Sequence, residues 1–309
     1  MSLSAKSNLP PGAPVDHSHG DLHGQDLSGQ DLRGAILVHA NLQGTLFIEA
    51  DLRGAELMGA DLEKAELGEA RLAGAGLGAV KLDGARLVAA DLTAATLSNS
   101  SLRGTDLRRA CLQRARLVGA DLRQADFTGA DLSDTDLTDC DVTGATFRDA
   151  NLRGARLRGI RGYTDADWIH TDMRDADFTG AWLLRRHAID QNYLLEFKTA
   201  SRTNGVIYEF WHLTSDCGRS LFRWGLWTAF IAVGFAFIYD HLDVAYGAYP
   251  TWLSPVYFSV VTLTTLGYGD ALPTDVASQV AVICEVVTGY VMLGGLLSIF
   301  SNKMGRLGG

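Results

Sequence analysis

From Leu22 to Leu157 an apolar residue falls at every fifth position, 28 times in one phase: leucine throughout except Phe47, Phe127, Val142 and Phe147. Two residues before each of these the side chain is usually small, most often alanine, as in Ala50-Asp51-Leu52 and Ala120-Asp121-Leu122. A period of five excludes both ordinary structures. On an α-helix five steps rotate the chain by about 500°, so successive leucines spiral around the axis and define no face. In a straight strand five is odd, and successive leucines alternate sides. All of them face one core only if the chain turns once per repeat, each repeat forming a short extended side whose Ala and Leu point the same way. Four such turns close a square coil, and stacked coils form a solenoid with columns of leucine inside.

The Ala-Asp-Leu pattern resembles the pentapeptide-repeat family, whose motif is A(D/N)LXX. The resemblance implies a right-handed, four-sided β-helix; the handedness comes from the family alone. The aspartates beside each central leucine then have a structural explanation, as outward positions. The phase breaks between Arg158 and Asp167 and resumes one residue later with centres Trp168, Met173, Phe178 and Leu183, which predicts a bulge or looped-out corner. These bring the total to 32 repeats, or eight coils. At about 4.8 Å per coil the rod is roughly 38 Å long, and its larger C-terminal side chains are expected to cap the open end.

The rest of the chain follows a different rule. Two apolar spans, about Leu221–Tyr239 and Ala277–Phe300, each reach roughly the 30 Å of a bilayer's hydrocarbon core. Between them Ser254 to Thr265 is apolar but too short to cross. With Ser254 as expected N-cap and Pro255 at the first helical position, it reads as a re-entrant helix. Its negative end points toward a cation. The sequence from Trp224 to Asn302 holds no lysine or arginine, while Asp240, Asp243, Asp270 and Asp275 lie in the connections. Arg219 and Arg223 precede the first span, and Lys303 and Arg306 follow the second. The positive-inside rule puts both chain ends in the cytoplasm of a cell (inner) membrane protein. The acidic residues of the connections then raise the local cation concentration at the outer mouth.

After the short helix comes Thr264-Thr265-Leu266-Gly267-Tyr268-Gly269-Asp270. This resembles the filter TVGYGD of two-transmembrane bacterial potassium channels, with Leu266 in place of valine. The resemblance covers about residues 220–303. It implies a homotetramer in which four loops meet on an axis and K+, the permeant ion, is held by the backbone carbonyls of Thr265, Leu266, Gly267, Tyr268 and Gly269 together with the Thr265 hydroxyl. Carbonyls that all point inward require alternating backbone conformations, some of which glycine reaches most cheaply. Thr264 and Asp270 flank this row. Counted from Asp270, Gly289 falls where these channels carry a hinge glycine. Leu293 and Leu297 share its face and are expected to line the inner pore, and Gly294 and Gly295 allow close helix approach. Val261 stands where one bacterial type has a glutamate behind the filter. Glu285 is the one ionisable residue of the second span. A carboxyl facing lipid is expensive, so it is expected to face protein, either the back of the pore helix or a water-filled cavity.

The organisation read from the sequence is a disordered tail at 1–19, the repeat rod at 20–184, an amphipathic linker at 185–219, the two-span region at 220–303 and a short cytoplasmic tail at 304–309. In the linker, Ile189, Tyr193, Leu194 and Phe197 follow helical spacing, predicting a helix over Arg185–Ser201 that ends near Asn204-Gly205. Tyr208, Phe210 and Trp211 suit a membrane surface or a helix packed on the rod's end, and Ser215 or Asp216 is expected to cap the first span. Met1 to Pro14 lacks the apolar stretch of a signal peptide.

Other features lead away from chemistry. The chain carries a net charge of −9, and residues 20–184 hold 26 acidic and 18 basic side chains, which weighs against nucleic acid as a partner. The four cysteines have no paired spacing and suit a reducing compartment. His17, His19 and His23 read as solvated rather than metal-binding. Gly74-Ala75-Gly76-Leu77-Gly78 and Asn99-Ser100-Ser101 both lie in repeat phase, which removes their reading as a dinucleotide motif and a glycosylation acceptor. No catalytic set or cofactor site emerges, so an enzyme is not expected. The expected function is a homotetrameric potassium-selective channel whose cytoplasmic rod, with an unidentified partner, tunes gating or assembly. Two alternatives share these features: a weakly selective cation channel, or a membrane-anchored repeat protein acting by interaction or DNA mimicry.

Overall fold

The computed structural model describes residues 15–217, 220–247 and 250–305. Residues 1–14 of the expected tail, Arg219, Arg306 and the last three residues lie outside them. The chain divides into two compact units, Met1–Tyr193 and Leu194–Gly309.

The first unit is the square coil that the five-residue period requires. Parallel bridges join residues 20 apart, from Asp16 with Ile36 to Asp141 with Arg161, and 21 apart from Thr146 with Asp167 to Arg156 with Asp177. Twenty residues are four sides of five. Backbone bonds tie coil to coil, as in Leu52 N–H to Arg71 O at 2.7 Å. Each corner is a β-turn such as Leu32 O to Ala35 N–H at 3.0 Å. The turn's third residue takes positive φ, which glycine supplies at Gly34 and which Glu49, Lys64 and Ala79 adopt elsewhere. From Leu37 to Leu157 every central side chain is at most 2 % exposed. Burial of this kind stabilises by about 1.5–3 kcal/mol per leucine.

The alanine column accepts a few polar residues because each finds a carbonyl. Thr45, Ser100, Thr105 and Thr135 are buried, and their hydroxyls donate to the oxygens of Leu22, Leu77, Leu82 and Leu112 at 2.7–2.9 Å. Cys140 does the same toward Leu117 at 3.0 Å, and burial pushes its thiol up to about 12. It is a core side chain rather than a nucleophile.

The aspartates outside fasten the corners. Asp31 accepts from the backbone N–H of Arg33 at 3.3 Å and from its guanidinium at 2.8 and 2.7 Å, and the same pairing recurs at Asp121–Arg123 and Asp172–Arg174. The arginine hydrogen bonds hold Asp31, Asp121 and Asp172 down to about 2, and the Thr179 hydroxyl holds Asp177 there. A carboxyl with a depressed folded value stabilises above its unfolded value of about 3.9 and loses that contribution as pH falls through the folded one. The β-type circular dichroism of the full chain should therefore stay constant down to about pH 4 and decline between about pH 4 and 2. A signal unchanged at pH 2 would show that the corner bonds contribute nothing to the fold.

At both ends the coil differs from the sequence reading. It starts earlier than residue 20, since Asp16 already forms a bridge and His17 N–H donates to Ile36 O at 2.8 Å. His19 stacks on His39 with ring centroids 5.3 Å apart. Histidine in place of leucine at position 17 hides this first side from the periodicity. The break near Arg158 is narrower than the sequence implies, because Arg161 keeps the bridge register and the extra residue sits in a 3-10 turn, Tyr163–Asp165. Phe127, Phe147 and Trp168 then stack at 4.9 and 4.4 Å.

Leu183 is not a repeat centre. Helix α1, Trp182–Ala200, has already begun, and Leu184 enters the core at 0 % exposure while Leu183 is 38 % exposed. The face of α1 that packs carries Leu184, Ala188, Gln191 and Asn192, not the expected stripe through Ile189 and Tyr193, which are exposed. Gln191 accepts from Trp168 N–H and donates to Ala166 O, both at 2.9 Å. Asn192 accepts from His170 N–H at 2.8 Å. These amides replace the next coil, so the last sheet edge is covered.

The second unit is helical. Helix α2, Arg202–Ser215, starts at the N-cap Ser201 and contains Asn204 and Gly205, where the sequence suggested a helix end. Lys198 of α1 bridges to Glu209 at 2.8 Å. Asp216 closes α2 as its C-cap, and the next helix is capped by Ser220 instead, whose hydroxyl accepts from Arg223 N–H. Helix α3 is Leu221–Asp240, strand β1 is Val244–Ala245, helix α4 is Ser254–Leu263, strand β2 is Leu272–Pro273 and helix α5 is Val276–Gly305. Among the described residues, α3 and α5 are the two helices long and apolar enough to cross a membrane. β1 and β2 pair antiparallel, Val244 with Pro273, tying the connection before α4 to the one after it. Ser254 is the first residue of α4 rather than its cap, and its hydroxyl accepts from Thr251 N–H at 2.8 Å.

Candidate functional site

Helix α4 ends after Leu263 because the chain turns under its own last carbonyls. Thr265 N–H donates to Thr262 O at 2.9 Å and Leu266 N–H to Val261 O at 3.0 Å. From there φ is positive at alternate residues: 58° at Thr265, 50° at Gly267 and 74° at Gly269. A Cβ at either glycine meets nothing within 4 Å, so the conformation, not space, requires glycine there. Thr265 has no such freedom and stores roughly 1–2 kcal/mol of backbone strain. At the far end of the run Tyr257 donates to Asp270 Oδ2 at 2.8 Å. One short helix thus holds both ends of the loop, Val261 at the inner end and Tyr257 at the outer. Leu266 and Tyr268 are 60 % and 68 % exposed.

Behind the loop the three helices meet closely. Glu285 is fully buried, with Tyr239 of α3 donating to its Oε2 at 2.6 Å and Ser259 of α4 in short contact with Oε1. It therefore faces α4 and α3 rather than open space. One turn on, a Cβ at Gly289 would sit 2.2 Å from Leu263 O. Gly295 faces the Trp224 ring in the same way at 2.3 Å, whereas Gly294 has open space, so the expected close approach belongs to one of that pair. Trp224 Nε1 donates to Met292 O at 3.0 Å. A cavity of about 490 Å³ lies beside the inner end of the loop, lined by Thr264, Thr265, Gly289, Met292 and Leu293. Leu297, 62 % exposed, lies on α5 beyond it.

The structure therefore brings Thr264 to Asp270 onto the end of one helix and sets Glu285 and Gly289 against that helix's back. Tyr257, Ser259 and Tyr239 were not singled out from the sequence. A hydroxyl among the apolar residues of a re-entrant helix is the signal that could have found the first two.

The family model for pentapeptide repeats, described as 8 copies, matches residues 18–54, 26–63, 85–124 and 125–161. The model described as ion channel matches residues 207–306. A 43-residue stretch is 46 % identical to two-pore potassium channel 1 of Arabidopsis thaliana, covering 14 % of this chain and 12 % of that protein's length. Among solved structures, HetL, a pentapeptide repeat protein involved in heterocyst differentiation regulation from the cyanobacterium Nostoc sp. strain PCC 7120, is 29 % identical over 54 % of this chain and 86 % of its own, with a TM-score of 0.34. Rfr23, a pentapeptide repeat protein from the cyanobacterium Cyanothece 51142, is 33 % identical over 28 % of this chain and 58 % of its own, with a TM-score of 0.28. The chain thus joins pentapeptide repeats, between residues 18 and 161, to an ion-channel domain over residues 207–306.

Proposed function

We propose that four copies of this chain form a potassium-selective channel. The observation that carries the reading is the alternation of positive φ at Thr265, Gly267 and Gly269 in a loop held at both ends by α4. Alternating hand lets successive carbonyls point to one side, and a row of such carbonyls substitutes for the hydration shell of a dehydrated cation. The C-terminus of α4 adds the negative end of a helix dipole at the inner end of the row. One chain exposes Leu266 and Tyr268, and three further copies around an axis would cover them. The similarity to two-pore potassium channel 1 of Arabidopsis thaliana supports potassium as the ion.

In this arrangement α3 and α5 span the cell (inner) membrane, the chain ends lie in the cytoplasm with Arg223 and Lys303, and Asp270 faces outside. The rod connects to the pore through α1 and α2, and this route lets it tune gating or assembly. Reversal potentials of the purified full chain in planar bilayers, with potassium on one side and sodium on the other, test the reading. The expected potential lies far toward the potassium equilibrium value. A value near zero overturns potassium selectivity and leaves a weakly selective cation channel, and no conductance at all leaves the repeat rod as the active part.

A further inference from the structure

Glu285 is a buried carboxyl in an apolar helix, and its partners can be counted by proton. Tyr239 reaches it from α3 and Ser259 from α4. Ser259 Oγ also lies 2.8 Å from Ala232 O of α3. A hydroxyl has one proton to give, and a carbonyl oxygen has none. If Ser259 donates to Ala232 O, its contact with Glu285 must use a proton from the carboxyl. The chain then reads Glu285 Oε1–H to Ser259 Oγ, Ser259 Oγ–H to Ala232 O, and Tyr239 O–H to Glu285 Oε2, with every proton used once.

The surroundings agree. No lysine or arginine occurs from Trp224 to Asn302, and a buried charge without a counter-charge is costly. Among the described residues, the titratable groups around this cluster include Tyr239 itself, Cys284 beside Glu285 on α5, Asp240 beside Tyr239 at the end of α3 and Tyr246, whose hydroxyl donates to Tyr239 O at 3.0 Å; none of them is a cation. His241 turns away, its Nδ1 2.9 Å from Phe237 O. Spacing gives the contact its purpose. Glu285 and Gly289 are one turn apart on α5, and they meet Ser259 and Leu263, one turn apart on α4. Helix α4 is thus fixed in height at two successive turns just above the loop it carries.

We propose that Glu285 is a positioning residue: as a neutral carboxylic acid it pins α4 to both long helices and sets the level of the loop Thr264–Asp270. That the loop is a filter rests on the function proposed above, but the pin does not, and its test needs no conduction. Infrared difference spectra of the full chain in lipid bilayers at neutral pH, unmodified minus Glu285→Gln, should show the carbonyl stretch of a protonated carboxyl. That band should shift in Ser259→Ala, which removes the acid's acceptor. Thermal unfolding supplies the second reading. Glutamine reproduces the neutral acid's pattern, its NH2 donating to Ser259 and its carbonyl accepting from Tyr239, so Glu285→Gln should unfold close to the unmodified chain. Glu285→Leu leaves the Tyr239 hydroxyl without its acceptor and Ser259 Oγ without the acid's proton, and should unfold lower, by on the order of 5 °C or more. A carboxylate band in place of the acid band, or equal losses in Glu285→Gln and Glu285→Leu, would overturn the proposal. Should neither Glu285 variant fold, Ser259→Ala decides against the spectrum of the unmodified chain: a shifted acid band supports the pin and an unshifted one rejects it.

Discussion

Alanine at Gly289 is expected to destabilise the helical unit, despite being the better helix former. In an exposed helix the exchange gains about 1 kcal/mol. Here the new methyl would stand 2.2 Å from Leu263 O, a backbone oxygen at the end of α4 that cannot rotate aside as a side chain does. Either α5 or the loop's supporting helix must move. Overpacking of this kind costs about 1–3 kcal/mol per site, and in the proposed tetramer it would be repeated in every copy. The resemblance to two-transmembrane channels assigns Gly289 a hinge, whereas α5 runs as one helix through it. The two roles separate experimentally. A hinge glycine replaced by alanine changes open probability with unchanged thermal stability, while a close-approach glycine loses stability first. Unfolding of Gly289→Ala, set beside Gly294→Ala whose Cβ meets nothing within 4 Å, is the measurement. Equal midpoints for the two variants would return Gly289 to the hinge role.

The rod was legible because a fifth-residue period leaves one geometry in which all leucines share a core. Its ends were not. Whether Leu183 or Leu184 enters the core depends on where α1 begins. Covering the last edge takes the side-chain amides of Gln191 and Asn192 at bonding distance from Trp168 and His170, and polar residues on a helix carry no mark of that task in sequence. The loop Thr264–Asp270 was legible as a motif, because glycine at alternate positions reports backbone hand directly. Glu285 was legible as the lone ionisable residue of its span. Its partners were not, since Tyr239 and Ser259 lie 46 and 26 residues away and nothing local ties them to it. Tyr257 likewise reads as one more apolar residue until Asp270, 13 positions later, folds back onto it.

Alanine at Gly267 or Gly269 is expected to abolish selective conduction while leaving the rod and the membrane helices folded. Both glycines hold positive φ, 50° and 74°, and a Cβ there meets no atom within 4 Å, so no clash within one chain explains an effect. What remains is the backbone itself. A left-handed conformation costs a residue with a Cβ roughly 1–2 kcal/mol, and in the proposed tetramer four loops around one axis would make that about 4–8 kcal/mol per assembly. The loop has little to oppose it, because Thr265 already holds φ at 58° and stores strain of its own. The chain escapes most easily by letting a peptide plane turn over, which points a carbonyl away from the row and an N–H toward it. An N–H repels a cation, so one turned plane removes an ion site and replaces it with a barrier. Reversal potentials and single-channel currents measure the result, and tetramer yield shows that assembly survives. If both alanine variants kept full potassium selectivity, the alternating hand of this loop would not be what selects the ion. The carbonyl-row reading of Thr265 to Gly269 would then have to be abandoned.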